Sequence, residues 1–247
     1  MTIEVGAALE RVLMGADEWQ LWRVRRLRGE EVGDLPELTT QDVTGGFVGY
    51  SGVASPAATG RGLAHLAAIG LGGSGPAAIA GDWLLDARTP AGAWLDPPTE
   101  VPDGADSAAA GRVWSTAAAA SALLAVGRDP GQRSLDLLRG EADQDGRFTG
   151  GVFATCAAAA AYWRAEGPKT EMAEWALRWV RENDDGSWGP EPYVAGLTFW
   201  AAARIPADHP SVEFFTEELR EQAPIAGWAE DPELTLLTLE VLAAYER

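Results

Sequence analysis

The sequence is poor in the side chains that most often carry chemistry: 247 residues hold one cysteine, two histidines and a single lysine, Lys169. The lone Cys156 excludes an internal disulfide. Positive charge is scarce too. Nineteen basic residues face 37 acidic ones, and the net charge of −18 repels phosphate backbones and anionic headgroups, so no nucleic-acid partner is expected. Long apolar runs are absent. The longest, Gly151 to Trp163, falls short of the about 20 residues a spanning helix needs, so no stable membrane insertion is expected. The start, MTIEVGAALERVL, has an early Glu where a secretory leader carries positive charge, and a cytoplasmic location is expected.

What is present points to a packed helical protein. The hydrophobic content of 47% is enough to bury a sizeable core. The one basic cluster, Arg23, Arg25, Arg26 and Arg28, reads as a solvated helix face. Glycine-aromatic punctuation recurs along the chain: TGGF ending at Phe47, AGAW at Trp94, DGRF at Phe148, DGSW at Trp188 and AGW at Trp228. Neighbouring copies lie roughly 40 to 55 residues apart, near the spacing of helical repeats.

The later copies share a layout. Before the turn, SLDLLRGEADQDGRF, AEWALRWVRENDDGSW and VEFFTEELREQAPIAGW place apolar residues at intervals of three and four, as half-exposed helices do. After it, FATCAAAAAYW, YVAGLTFWAAARI and ELTLLTLEVLAAY are apolar on most faces and are expected to be buried all round. Such a hairpin cannot cover its apolar face alone, so hairpins must stack. Ring closure is preferred over an open solenoid, because the last helix carries Leu234, Leu236, Leu237, Leu239, Val241 and Leu242 and lacks a polar capping face. The expected fold is all-α, a single-domain α/α toroid of about five hairpins over residues 17–247, preceded by a leading helix over 1–16. In each turn the glycine takes positive φ, the aromatic packs between hairpins, and a polar residue, Gln144, Asn183 or Gln222, bonds helix-end groups.

With its Gly-x-aromatic turns, DQDGRF and NDDGSWG among them, the chain resembles the α/α toroids of terpenoid cyclases and protein prenyltransferase β-subunits. The likeness is strongest to the QW repeats of squalene-hopene-type cyclases and runs from about residue 17. The resemblance implies cyclisation of an isoprenoid or related polyene in an apolar central cavity. It also implies a cleft that a second domain completes, so a separate partner chain is expected alongside a hydrophobic small-molecule substrate.

The longest loop, WLDPPTEVPDGADSAAAGRVW from Trp94 to Trp114, holds Asp96, Glu100, Asp103 and Asp106. Within it, PDGADS resembles the acid motif of class II terpene cyclases, with Asp103 and Asp106 at its outer aspartates. Ala105 stands where the family has its proton donor. The candidate acids are therefore Asp106 and Asp103; the plainer reading is a solvated acidic loop in which Asp106 caps a helix. NDDGSWGPE matches a magnesium motif of class I synthases letter by letter at Asn183, Ser187 and Glu191, but Gly186, Gly189 and Pro190 break the helix that motif needs.

No metal or other cofactor is expected. Protein prenyltransferases hold zinc through Asp, Cys and His, but Cys156 reads as a buried apolar filler and His209 as a surface residue. The residues expected to line a cavity are Trp114, Phe153, Cys156, Tyr193, Trp200 and His65, the aromatics offering π-faces to an apolar chain or a carbocation. Two other functions fit the same pattern: a non-terpenoid cyclase, for example of polyketides, that works by orienting its substrate, and a non-catalytic binding or scaffold toroid.

Overall fold

Serine and aspartate mark the points where helices begin. Asp17 forms a reciprocal cap with Gln20, its Oδ1 accepting the Gln20 amide at 2.7 Å. Ser55, Ser74 and Ser107 each accept the amide three residues on, and Asp231 accepts two amides of the last helix. Proline in the first turn reinforces three of these starts and also the helix start after Gly189, where its missing N–H costs no hydrogen bond.

The computed structural model describes residues 5–97, 107–222 and 231–246. Among them the chain is all-helical, with eleven helices and no strand. The helices are α1 (Val5–Leu13), α2 (Glu18–Leu27), α3 (Pro56–Ala68), α4 (Gly75–Ala87), α5 (Ala108–Ala125) and α6 (Gln132–Gly140). They continue with α7 (Gly151–Glu166), α8 (Glu171–Glu182), α9 (Pro190–Ala203), α10 (Pro210–Gln222) and α11 (Pro232–Tyr245).

The two helix types expected from the pattern separate cleanly. In α7 every residue from Ala154 to Tyr162 is buried, which requires neighbours on all sides. In α8 only Ala173, Ala176, Leu177 and Val180 are buried, a single stripe at helical spacing. The buried helices touch in sequence: α3 packs on α5, α5 on α7, α7 on α9, and α9 returns to α3 while also meeting α5. The amphipathic helices cover them, α4 on α3, α6 on α5, α8 on α7 and α10 on α9. Small residues let the inner helices approach closely. A Cβ on Gly60 would lie 2.6 Å from the Ala118 backbone, and one on Gly196 would lie 3.1 Å from Cys156 Sγ.

The two ends of the chain meet. Helix α11 packs on α9 and is covered by α1 and α2, so Leu236 and Leu239 are buried with Leu9, Val12 and Val24 in a small cluster of their own.

Candidate functional site

The glycine-aromatic turns position the starts of the inner helices. In the first three copies the turn is the same structure. Asp42 N–H donates to Gly46 O at 2.9 Å and Gly45 N–H to Asp42 O at 3.0 Å; Thr89 with Ala93 and Gly92, and Asp143 with Arg147 and Gly146, repeat the pair. The glycines sit at φ +98°, +86° and +94°. Each is pressed against the next outer helix: a Cβ on Gly45 would strike Ile79 of α4, on Gly92 the Arg133–Ser134 backbone of α6, and on Gly146 the Trp175 backbone of α8. The aromatic then sinks into the core, and its amide is held by a threonine of the next inner helix. Phe47 N–H donates to Thr59 Oγ1 at 2.9 Å, Trp94 to Thr116 at 3.2 Å and Phe148 to Thr155 at 3.0 Å.

Threonines inside apolar helices carry no signal of reactive chemistry, and nothing in the sequence singles these three out. The polar slot is also shifted. Six residues before the aromatic, Gln41 Nε2 donates to Gly45 O at 2.9 Å and to Pro76 O at 3.0 Å, and Arg88 donates to Pro130 O. Gln144 instead sits exposed at a turn tip, while Asn183 bonds the helix-end carbonyl of Trp179 at 3.0 Å, as expected.

The loops entering α3, α5 and α7 adjoin at one mouth. Asp96 Oδ2 accepts the Ala57 amide of α3 at 2.9 Å and the Ser115 hydroxyl of α5 at 2.6 Å. A Cβ on Gly150, at the entry to α7, would lie 3.0 Å from Ala110 O of α5. Inside this mouth Trp114 makes edge contacts with Phe153 at 5.9 Å and Phe199 at 6.1 Å. Trp114 is buried and Phe153 half-buried, so Phe153 is the aromatic of this group that reaches solvent. Leu95, next to Asp96, is 60% exposed, and Tyr50, in the loop leading to α3, is 80% exposed over Arg61.

Asp103 and Asp106 lie outside the described residues, as do Glu100 and Ala105. The chain on either side of them is fixed at this mouth, by Asp96 before and by Ser107 after. The Ser107 hydroxyl caps α5, accepting Ala110 N–H at 3.1 Å.

The other residues expected to line a cavity are gathered elsewhere. Cys156 and Trp200 are adjacent, Trp200 Nε1 donating to Cys156 O at 3.1 Å, and neither has exposed surface. Burial pushes the Cys156 thiol well above its ordinary range, so it carries no thiolate at neutral pH. Tyr193 is buried, and its hydroxyl donates to Asp184. Burial and then the Asp184 carboxylate push its phenol up. The Asn183, Ser187 and Glu191 match dissolves as the broken helix requires: Asn183 ends α8, Ser187 lies in the turn and Glu191 opens α9.

His65 belongs to a third place, where the chain ends meet. Its Nε2 lies 2.8 Å from Glu240 Oε2. Arg23 donates to Glu240 through Nε at 3.0 Å and Nη2 at 2.6 Å, and through Nη1 to Glu233 at 2.5 Å. Trp19 covers the group, its ring 5.2 Å from the Arg23 guanidinium and 6.3 Å from His65. Burial alone would raise the Glu240 carboxyl, but Arg23 and then His65 outweigh it and hold it at about 2. Glu240 is therefore ionised and doubly bonded, which disqualifies it as an acid catalyst.

Two expectations about charge are corrected here. Arg23 has no exposed surface and Arg26 donates to Ile69 O, so this part of the basic cluster faces inward rather than to water. The compensating carboxylates lie more than 200 residues away in sequence, where no local pattern reveals them. His209, read as a surface residue, is a cap: its Nδ1 accepts Ser211 N–H at 3.2 Å at the start of α10, its ring meets Trp163 edge-on at 5.7 Å, and its side chain is 13% exposed.

Among the described residues no helix is long and apolar enough to cross a membrane. No family model matches the chain, and no curated protein matches it.

Proposed function

We propose that the protein is an α/α toroid of the terpenoid-cyclase type that binds an apolar isoprenoid or related polyene at the mouth formed by the starts of α3, α5 and α7. Acid-initiated cyclisation is the proposed chemistry, with Asp106 or Asp103 as proton source. The observation that supports it is the half-exposed Phe153 standing on Trp114 of α5, the helix to which Asp96, before the acidic insertion, is bonded through Ser115 and which Ser107, after it, caps. An aromatic face next to a carboxyl group is what protonating an alkene and sheltering the resulting cation requires. The exposed Leu95 and Tyr50 extend the apolar rim on a strongly acidic protein.

Incubation with farnesyl, geranylgeranyl and squalene-type substrates tests this reading. Cyclic products are expected from the wild type, with loss in Asp106→Asn or Asp103→Asn. A wild type that makes no cyclic product from any of them removes the acid-initiated reaction.

A second reading, a non-catalytic binding or scaffold toroid, is favoured by one observation. Cys156, Tyr193 and Trp200 have no surface that solvent reaches, and α7 is buried without interruption from Ala154 to Tyr162. Side chains thus fill the space around them. Polyene binding without product in wild type and both variants is the outcome this reading expects.

A further inference from the structure

The third turn and the end of α8 border an open surface cleft of about 320 Å³ that neither the mouth nor the charged seam uses. Its lining is Asp145 from the turn and Arg178, Trp179, Glu182 and Asn183 from the last turn of α8 and its cap. That volume is at the lower end of the range for small-molecule sites.

The charges around it are poorly matched to one another. Arg178 comes only within 4.0 Å of Glu182, and Glu182 is also reached by Arg181 at 3.4 Å. The amide of Asp145 is tied to Asp143 Oδ1 at 3.0 Å, which fixes the turn, and Asp145 is part of the cleft lining. Arg147 lies 5.7 Å over the Trp179 ring instead of on a carboxylate, in a chain where acids outnumber bases almost two to one. Asn183 spends its Nδ2 on Trp179 O and keeps Oδ1 as an acceptor. Both signs of charge, an amide oxygen and an indole thus border one small space.

We infer that this cleft binds a free α-amino acid, its carboxylate on Arg178, its ammonium on Asp145, and its side chain against the Trp179 indole. A ligand bearing only one charge leaves the other wall uncompensated, so the zwitterion is selected.

The experiment is titration of the ¹⁵N-labelled protein, following the Trp179 indole resonance, with L-leucine, L-leucinamide and N-acetyl-L-leucine. L-Leucine is expected to give a saturable shift. Leucinamide lacks the carboxylate and N-acetyl-leucine the ammonium group, and each is expected to bind roughly tenfold more weakly or worse. Asp145→Asn and Arg178→Gln replace exposed side chains, are expected to fold normally, and should each weaken L-leucine by a similar factor. No saturable shift with L-leucine at tens of millimolar, equal responses to the three ligands, or unchanged binding in both variants overturns the inference.

Discussion

The third and fourth glycine-aromatic turns are close in sequence, DGRF against DGSW, and they do different structural work. The third is closed by two backbone hydrogen bonds as well as by Asp143 Oδ1, which accepts the Asp145 amide at 3.0 Å and the Arg147 amide at 2.9 Å; it presses Gly146 onto the Trp175 backbone and buries Phe148 with its amide on Thr155. Among the described residues the fourth lacks the backbone pair and is closed by aspartate side chains alone: Asp184 Oδ1 accepts Gly186 N–H at 2.8 Å and Asp185 Oδ1 accepts Ser187 N–H at 3.0 Å. Gly186 has φ +76°, but a methyl group placed on it would meet nothing within 4 Å, and Trp188 is only half-buried. Thr198 of α9 bonds its own helix at Val194 O, 2.7 Å away. A turn motif therefore specifies chain direction, while the threonine and the neighbouring outer helix decide how firmly the turn anchors the inner helix after it.

The charged seam sets a scale for testing that difference, since it lies apart from both turns. Glu240→Gln leaves Arg23 buried without its bidentate partner and is expected to cost about 3 to 5 kcal/mol, measured by urea unfolding at pH 7. Glu240 is held at about 2 in the folded protein against an ordinary 4.5, so its contribution is complete above pH 4.5 and fades as pH falls toward 2. The stability gap between wild type and Glu240→Gln should narrow over that window. A gap that widens there contradicts the assignment.

Within the turns, Phe148→Ala is expected to cost about 3 to 5 kcal/mol and Trp188→Ala about half as much, despite the larger side chain lost in the second. Gly146→Ala combines a left-handed φ with a Cβ 2.5 Å from backbone, and should cost about 3 kcal/mol. Gly186→Ala meets only the φ penalty, about 1 kcal/mol. Thr155→Val strands the buried Phe148 amide and is expected to cost about 1 to 2 kcal/mol, whereas Thr198→Val, which removes only a hydroxyl bonded to its own helix at Val194 O, should change stability by less than about 1 kcal/mol. Equal costs within any of these pairs, in thermal or urea unfolding, would erase the distinction between the turns.

How much of this is legible in the sequence depends on the range of the interaction. Helix type is readable because burial follows local spacing: the Ala-rich stretch of α7 and the single stripe of α8 both emerge as their patterns indicate. The positive φ of the turn glycines is readable for the same reason. Arg23 is not, because its meaning lies in Glu233 and Glu240 at the other end of the chain. Thr59, Thr116 and Thr155 stay hidden since their distances from the aromatic they serve, twelve, twenty-two and seven residues, share no period. Among the residues expected to meet a ligand, Trp114 and Phe153 come together at the mouth, while Cys156, Tyr193 and Trp200 lie in solvent-free packing and His65 in the charged seam. Aromatic residues on inner helices look alike in a sequence whether they line a space or fill it.

The placement of the site at the mouth is tested most directly by photolabelling with a diazirine-bearing geranylgeranyl analogue, followed by peptide mapping. Label is expected on Phe153 or within 94–114, competed away by unmodified polyene. Competed label confined to the outer helices α6, α8 and α10, or no competed label at all, would contradict it.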